Sequence, residues 1–144
     1  MFLFFSSQTI LSVQFNDLVN LELNQQMELI DSNQDIIKQK IELLQTYQTE
    51  NNLLNLSIQT LPREEQDKKR KESKNLYILK MYRQNQVFEI KKQKLLHKHE
   101  LQKLQLQNIA QEVIKTVIAR QEQEKQSLLK IHESEKKVCY HFFS

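Results

Sequence analysis

Four histidines and one cysteine are the side chains of this 144-residue chain best suited to metal binding or nucleophilic catalysis. His97 and His99 are two residues apart, so on a helix they point to different sides, whereas metal-binding pairs on helices usually lie three or four apart. Cys139 and His141 are close in sequence, but a nucleophile and its base need a rigid scaffold that this stretch does not offer. We therefore expect neither a catalytic residue nor a metal site.

The composition excludes further classes of site, because the chain contains no glycine. The phosphate loops of nucleotide-binding proteins need glycine for close backbone approach, so we expect no cofactor and no enzymatic activity. One cysteine rules out an internal disulfide and fits a reducing compartment. No run approaches the ~20 apolar residues that span a bilayer, and the apolar start is too short for a signal peptide. These features predict a cytoplasmic protein.

A basic tract runs from Lys68 to Lys71, and Lys91, Lys92 and Lys94 extend it. A basic helix can bind phosphates or an acidic membrane surface. The lysines are interleaved with acidic residues, however, and the order of a basic zipper (basic region first, heptads after) is not found. We expect a solvated helix face rather than nucleic-acid binding, and leave membrane-surface binding open.

The clearest pattern is a stripe in which steps of four and three residues alternate from Leu23 to Ile58, the 3.5-residue repeat of a coiled-coil seam. Its members include Leu23, Met27, Ile30, Gln34, Ile37, Ile41, Leu44 and Ile58. An amide at a seam position costs stability but fixes register and partner number. A lone helix would leave this stripe in water, so the pattern predicts a partner helix.

A second apolar row (Ile36, Leu43, Tyr47, Leu54, Leu61) lies beside the stripe, and a face this broad can contact two neighbours. Pro62 is the one strong helix breaker, and we favour a kink or loose hinge over a hairpin there because no glycine is available for a tight turn. The predicted fold is all-α, an elongated coiled coil of two long helical segments with a break or kink near Pro62.

The second helical segment, from Leu76 to Val138, has weaker heptads. Its later register includes Ile114, Val117, Leu128 and Ile131, and the apolar phase slips by one residue near Asn108. The predicted organisation is an aromatic N-terminal arm (1–15), an acidic coiled-coil segment (16–61), a charged hinge (62–75), a basic coiled-coil segment (76–138) and an aromatic tail (139–144).

Charge is divided unevenly along the chain. Residues 1–60 carry seven acidic and two basic side chains, a net charge of −5, whereas residues 61–144 carry eleven acidic and nineteen basic ones, a net charge of +8. Such asymmetry favours a partner of opposite charge over a second copy. We expect a non-catalytic structural adaptor that forms a heteromeric coiled coil within a larger assembly.

Several short motifs resemble the small coiled-coil subunit twenty of the intraflagellar transport B complex. Residues 15–18 (Phe-Asn-Asp-Leu) resemble the Phe-Asp-Glu-Leu that opens the conserved region of that family, and residues 74–76 (Lys-Asn-Leu) resemble its Arg-Asn-Leu element. Residues 121–124 (Gln-Glu-Gln-Glu), with Leu128 and Leu129, resemble the close of its last coil. The resemblance covers residues 15–131, but the glycines of the family are absent.

The resemblance implies an adaptor that is needed for building cilia and is found at the cilium, the basal body and the Golgi. It further implies that Ile114, Val117, Leu128 and Ile131 bind another coiled-coil subunit. Without the resemblance, another cytoskeletal, kinetochore or tethering coiled-coil component, or a basic-helix polyanion binder, remains open.

Overall fold

The computed structural model describes the backbone of residues 2–143 and the side chains of residues 15–141. It contains three α-helices: α1 (Phe2–Ser57), α2 (Arg63–Leu106) and α3 (Gln111–Phe143). The described residues contain no strand, so the all-α class is confirmed. None of the helices within residues 2–143 combines the length and the hydropathy that crossing a membrane requires.

The predicted boundaries differ from the observed ones. α1 begins at Phe2, so the helix extends through the segment predicted as an arm, whose side chains before Phe15 lie outside the described residues. Residues 63–75, predicted as a hinge, form the first turns of α2 because nothing in this charged tract breaks a helix. The segment predicted as one helix from 76 to 138 is divided between α2 and α3.

Residues 58–62 connect α1 to α2, and the chain reverses direction there. Tyr47 stacks on Tyr77 with ring centroids 4.4 Å apart, and Arg70 Nε donates to Asn55 Oδ1 at 2.9 Å. These pairs show an antiparallel hairpin, so the predicted break near Pro62 is confirmed, whereas the preference for a kink or loose hinge over a hairpin is wrong. The turn closes without glycine because none of residues 58–62 has a positive φ. The Leu61 N–H donates to the Ile58 carbonyl at 3.0 Å, and Gln66 Nε2 donates to the Leu61 carbonyl at 2.9 Å.

The second break follows Leu106, where the apolar phase slips. Asn108 has a φ of 56°, in the left-handed region. Its N–H donates to the Gln105 carbonyl at 3.2 Å, and the Ile109 N–H donates to the Leu104 carbonyl at 3.1 Å. This pair of bonds is the Schellman motif, in which asparagine replaces the usual glycine after the helix end.

The described chain packs as two compact units. The first combines Met1–Asn33 with Ile90–Leu129, and the second combines Gln34–Glu89 with Lys130–Ser144. In each unit a segment of α2 has hydrogen bonds to a segment of α1 and to a segment of α3, and both pairings are antiparallel. α2 is therefore the central helix of each unit.

The left-handed conformation of Asn108 generates a stability prediction. Asn108→Val should lower the free energy of unfolding by about 1–2 kcal/mol, because a β-branched residue is strained at positive φ. Asn108→Gly should leave it unchanged or raise it. Urea unfolding followed by circular dichroism measures both variants. Gln107→Val, at the preceding exposed position, is the matched control, and an equal loss in that control would contradict the explanation.

Candidate functional site

The buried side chains of the described residues are mostly polar. Three apolar residues (Ile58, Phe88 and Ile114) are buried, against five polar ones. The polar residues are three glutamines and two histidines: Gln25, Gln86, Gln121, His99 and His132. All five belong to three copies of one arrangement, which we call amide–imidazole clusters.

The first cluster joins α1 and α2 in the first unit. Gln25 is 4% exposed, and its Nε2 donates to the His99 carbonyl at 3.0 Å and to Gln102 Oε1 at 3.2 Å. His99 Nε2 bonds to Glu28 Oε2 at 3.3 Å. Because an ionised carboxylate only accepts, Nε2 is the nitrogen that carries the proton in this bond. The buried amide and the imidazole are thus satisfied across the same helix pair.

The second cluster joins α2 and α3 in the first unit with the same bonds. Gln121 Nε2 donates to the His97 carbonyl at 3.1 Å and to Glu100 Oε2 at 3.2 Å. His97 Nε2 bonds to Glu124 Oε2 at 2.8 Å. Arg120 adds ion pairs to Glu100 and Glu124. His97 and His99 therefore face different helices, as their two-residue spacing predicts.

The third cluster joins α2 and α3 in the second unit. Gln86 is 6% exposed, and its Nε2 donates to the His132 carbonyl at 3.1 Å and to Glu135 Oε2 at 3.2 Å. His132 is 3% exposed, and its Nε2 bonds to Glu89 Oε2 at 2.8 Å. The same four roles recur at the same spacings, so the cluster is a repeated structural unit.

The spacing of the cluster follows from helix geometry. One helix carries Gln-x-x-Glu, and the other carries His followed three residues later by Glu or Gln. Side chains on an α-helix tilt towards its N-terminus. In an antiparallel pair the imidazole therefore leans towards the glutamate three residues beyond the glutamine. The Glu or Gln three residues beyond His leans back towards the glutamine amide. A parallel pair would separate the imidazole from that glutamate.

Hydrogen bonds and neighbouring charges lower the pKa values of two carboxyl groups in the first unit. The hydrogen bonds from His99 and then Lys98 hold the pKa of Glu28 below its ordinary value. Partial burial raises the pKa of Glu100, but the bonds from Arg120 and Gln121 outweigh it, so the net pKa is lowered. The same bond to Glu100 raises the pKa of Arg120. These groups favour their ionised forms in the folded chain.

The predicted seam on α1 is left largely uncovered. In the first unit Leu23, Met27 and Ile30 are exposed, and in the second unit Ile37, Ile41 and Leu44 are exposed, with exposed fractions between 43% and 62%. Gln34 is exposed as well. The neighbouring row predicted from the sequence (Ile36, Leu43, Tyr47, Leu54, Leu61) is the half-buried one.

The far end of the same stripe is covered, since Ile58 is only 1% exposed. An ideal α-helix drifts by about 20° per heptad relative to a strict seven-residue repeat. From Leu23 to the end of α1 at Ser57, nearly five heptads, the stripe turns by roughly 100°, and Ile58 follows at the start of the connecting turn. In the second unit it therefore leaves the solvent face and meets the packed face near the hairpin.

The seam predicted on α3 is mostly used within the chain. Ile114 is buried, Val117 and Leu128 are half-buried, and all three lie in the first unit, where α3 packs against α2. Ile131, in the second unit, is exposed. The intramolecular neighbour α2 thus covers surface that the resemblance would assign to a separate subunit.

The remaining candidates form no reactive centre among residues 15–141. No group of three histidine, cysteine, aspartate or glutamate side chains there is arranged to hold a metal ion. Cys139 is half-buried and lines an apolar groove of about 450 Å³ with Tyr82, Ile131 and Val138 in the second unit. Lys68, Lys69 and Lys71 are exposed on α2.

The clusters are the functional candidates that the sequence reasoning missed. From the sequence, His97 and His99 were interpreted only as candidate metal ligands, and Gln25, Gln86 and His132 received no interpretation. The signal was the recurrence of Gln-x-x-Glu, at 25, 86 and 121, together with His-x-x-Glu or His-x-x-Gln at 97, 99 and 132.

Comparisons of the chain with protein-family models, with curated proteins and with solved structures found no match.

The lowered pKa values of Glu28 and Glu100 predict acid sensitivity of the first unit. A carboxyl group whose pKa is lower in the folded than in the unfolded chain stabilises the fold at pH values above its unfolded pKa, near 4.5. This stabilisation is lost as the pH falls through the pKa of the folded chain. Helix content, followed by circular dichroism, should therefore decrease as the pH falls below 4.5. Neutralising both with Glu28→Gln and Glu100→Gln should flatten this dependence. The exposed pair Glu112→Gln and Glu133→Gln is the control, and equal flattening there would contradict the prediction.

The third cluster predicts a large effect from a nearly isosteric change. Gln86→Glu replaces the buried donor by an acceptor that faces the His132 carbonyl and Glu135. The free energy of unfolding should fall by about 1–3 kcal/mol, the cost of leaving buried polar groups unsatisfied. Urea unfolding measures the change. Gln126→Glu makes the same change at an exposed position of α3, and a comparable loss in that variant would count against the cluster.

Proposed function

We propose that the chain is a non-catalytic structural adaptor and that α1 binds a helix of another protein in a heteromeric coiled coil. The observation that carries this proposal is the exposed heptad stripe on α1. In both units α2 contacts α1, and in both units the stripe residues remain in solvent. Contiguous exposed apolar surface of this kind marks interaction sites.

The geometry of the first unit explains why α2 leaves this stripe uncovered. At 3.6 residues per turn, Leu23, Met27 and Ile30 lie roughly opposite the buried Gln25 on α1. Gln25 faces α2, so the stripe faces away from it. A helix with apolar residues on two opposite sides needs two neighbours. One is α2, and the proposed partner is the other.

Charge supports a different protein as the partner rather than a second copy. α1 carries seven acidic and two basic side chains, so two α1 helices side by side would repel each other. Gln34 lies within the stripe, and a seam amide discriminates among partners because it needs a polar group opposite. A partner helix with a basic flank and one polar seam residue fits this surface best.

The place of the adaptor in the cell is a further part of the proposal. The motifs at residues 15–18, 74–76 and 121–124 support a subunit of the intraflagellar transport assembly, acting in cilium assembly and located in the cytoplasm, cilium and basal body, with a Golgi pool. Another cytoskeletal, kinetochore or tethering assembly is the alternative. Identification of the protein that cross-links to α1 in the cells that produce this chain distinguishes the transport assembly from the other assemblies.

Ile37→Asp tests the stripe directly. A charge in place of a seam residue should abolish binding of the partner helix, because the charge would have to be buried without a counterion. Helix content should stay unchanged, because Ile37 is exposed in the free chain. The measurement is affinity purification of the tagged chain after cross-linking through Lys38 and Lys40, followed by peptide identification and quantification.

Thr49→Asp places the same charge on another exposed side of α1 and is the matched control. It should retain the helical partner that Ile37→Asp loses. Retention of the same cross-links by Ile37→Asp would show that the stripe is not the interface. Recovery of partners linked only to α3 would move the interface to that helix.

A polyanion-binding role is the second candidate, because Lys68, Lys69, Lys71 and Lys74 are all exposed in the second unit. Glu72 between them and Asp67 just before them reduce the local positive charge. Binding to heparin or to anionic vesicles that weakens steeply with salt would support this role.

A further inference from the structure

α2 and α3 carry the same sequence motif. In each helix a Gln-x-x-Glu sequence is followed, eleven residues after its glutamine, by His-x-x-Glu. The motif occupies residues 86–100 of α2 and residues 121–135 of α3. In each unit the Gln-x-x-Glu half of one helix bonds to the His-x-x-Glu half of the other. The motif is therefore complementary to a second copy of itself that runs in the opposite direction.

The bonds between the two motifs are arranged symmetrically about Ile109. Gln86 and His132 each lie 23 residues from Ile109, and His97 and Gln121 each lie 12 residues from it. If α2 and α3 formed one continuous helix, two copies of that helix would pair antiparallel about this point with all of these bonds made between copies. Because the donors and acceptors are the same, the exchange of α3 loses none of the cluster contacts.

The connection between α2 and α3 is compatible with a continuous helix. Residues 107–110 contain neither glycine nor proline, and the left-handed residue at the break is Asn108, with a φ of 56°. This conformation is less favourable than the right-handed helical one for a residue with a side chain, even for asparagine. A continuous helix removes it and supplies backbone partners to both helix ends. The hairpin at 58–62 differs, because Pro62 has no N–H and its ring clashes within a helix.

We propose that two copies of the chain exchange α3, so that α2 of each copy pairs with α3 of the other. The interaction surface on α2 consists of the cluster residues that bond to α3: Gln86, Glu89, His97 and Glu100. α1 keeps its contacts with α2 of its own chain. The exchange does not use the exposed stripe of α1, so it is separate from the proposed binding of a different protein to that helix.

Asn108 tests the exchange, because its conformation differs between the closed and the exchanged chain. Asn108→Ala disfavours the left-handed conformation and favours a helix, so the dissociation constant of the dimer should fall by about tenfold or more. Asn108→Gly tolerates the left-handed conformation and weakens a continuous helix, so this variant should stay monomeric. The measurement is sedimentation of the full chain after refolding from urea at a series of concentrations, at the highest of which the natural chain should form dimers.

Gln107→Ala is the matched control for these variants. Gln107 is exposed, and its N–H already donates to the Lys103 carbonyl as it would in a continuous helix. The substitution therefore changes helix propensity equally in the closed and the exchanged chain, and the dissociation constant should stay close to that of the natural chain.

Cross-links between isotopically distinct copies identify the helices that pair. Lys94 on α2 and Lys125 on α3 are both exposed in the first unit. They lie one turn from His97 and next to Glu124, two residues that bond to each other. Labelled and unlabelled chains are mixed in urea, refolded together and treated with a lysine-reactive cross-linker. In the exchanged dimer, linked Lys94 and Lys125 peptides should include pairs of one labelled and one unlabelled peptide.

Three results would overturn the proposal. The first is a natural chain that stays monomeric at every concentration. The second is a dimer in which all links between Lys94 and Lys125 lie within one copy, which would assign the contact to another surface, such as the stripe on α1. The third is an Asn108→Gly dimer as stable as the Asn108→Ala dimer, because the connection would then not take part in the exchange.

Discussion

A buried glutamine amide that reaches a backbone carbonyl of the neighbouring helix is the interaction on which both units depend. Each such carbonyl belongs to a histidine within a helix, and a carbonyl oxygen has a second lone pair beyond the one used in its own helix. The amide therefore joins two helices without breaking either. Because few apolar side chains are buried, these polar contacts rather than a thick core specify how the helices meet.

The fold class followed from the sequence because the absence of glycine and the apolar periodicity both indicate long helices. The hairpin at 58–62 did not follow, because its turn needs no positive φ and so leaves no glycine signal in the sequence. The break at Asn108 was visible as a slip in the heptads. The slip alone did not indicate the end of a helix, which depends on the ability of asparagine to adopt the left-handed conformation.

The candidate site was predictable only in part. The 3.5-residue stripe lies exposed on α1, and its pairing with a partner helix stays a prediction. The packing of α2 on the neighbouring row and on the glutamine face did not follow from the sequence. The clusters escaped notice because each half, Gln-x-x-Glu or His-x-x-Glu, is unremarkable on one helix. The two halves form a cluster only when antiparallel packing places them opposite each other. The sequence of one helix does not show which residues of another helix will lie opposite it.

The drift of the stripe around α1 has a consequence for the dimensions of any interface built on it. In the first unit Leu23, Met27 and Ile30 span about two helical turns, and in the second unit Ile37, Ile41 and Leu44 span about two turns as well. Beyond Leu44 the repeat turns under the hairpin and ends at the enclosed Ile58. Each unit therefore offers a partner helix a short apolar contact, and the mismatch between 3.5 and 3.6 residues per turn ends that contact within the second unit.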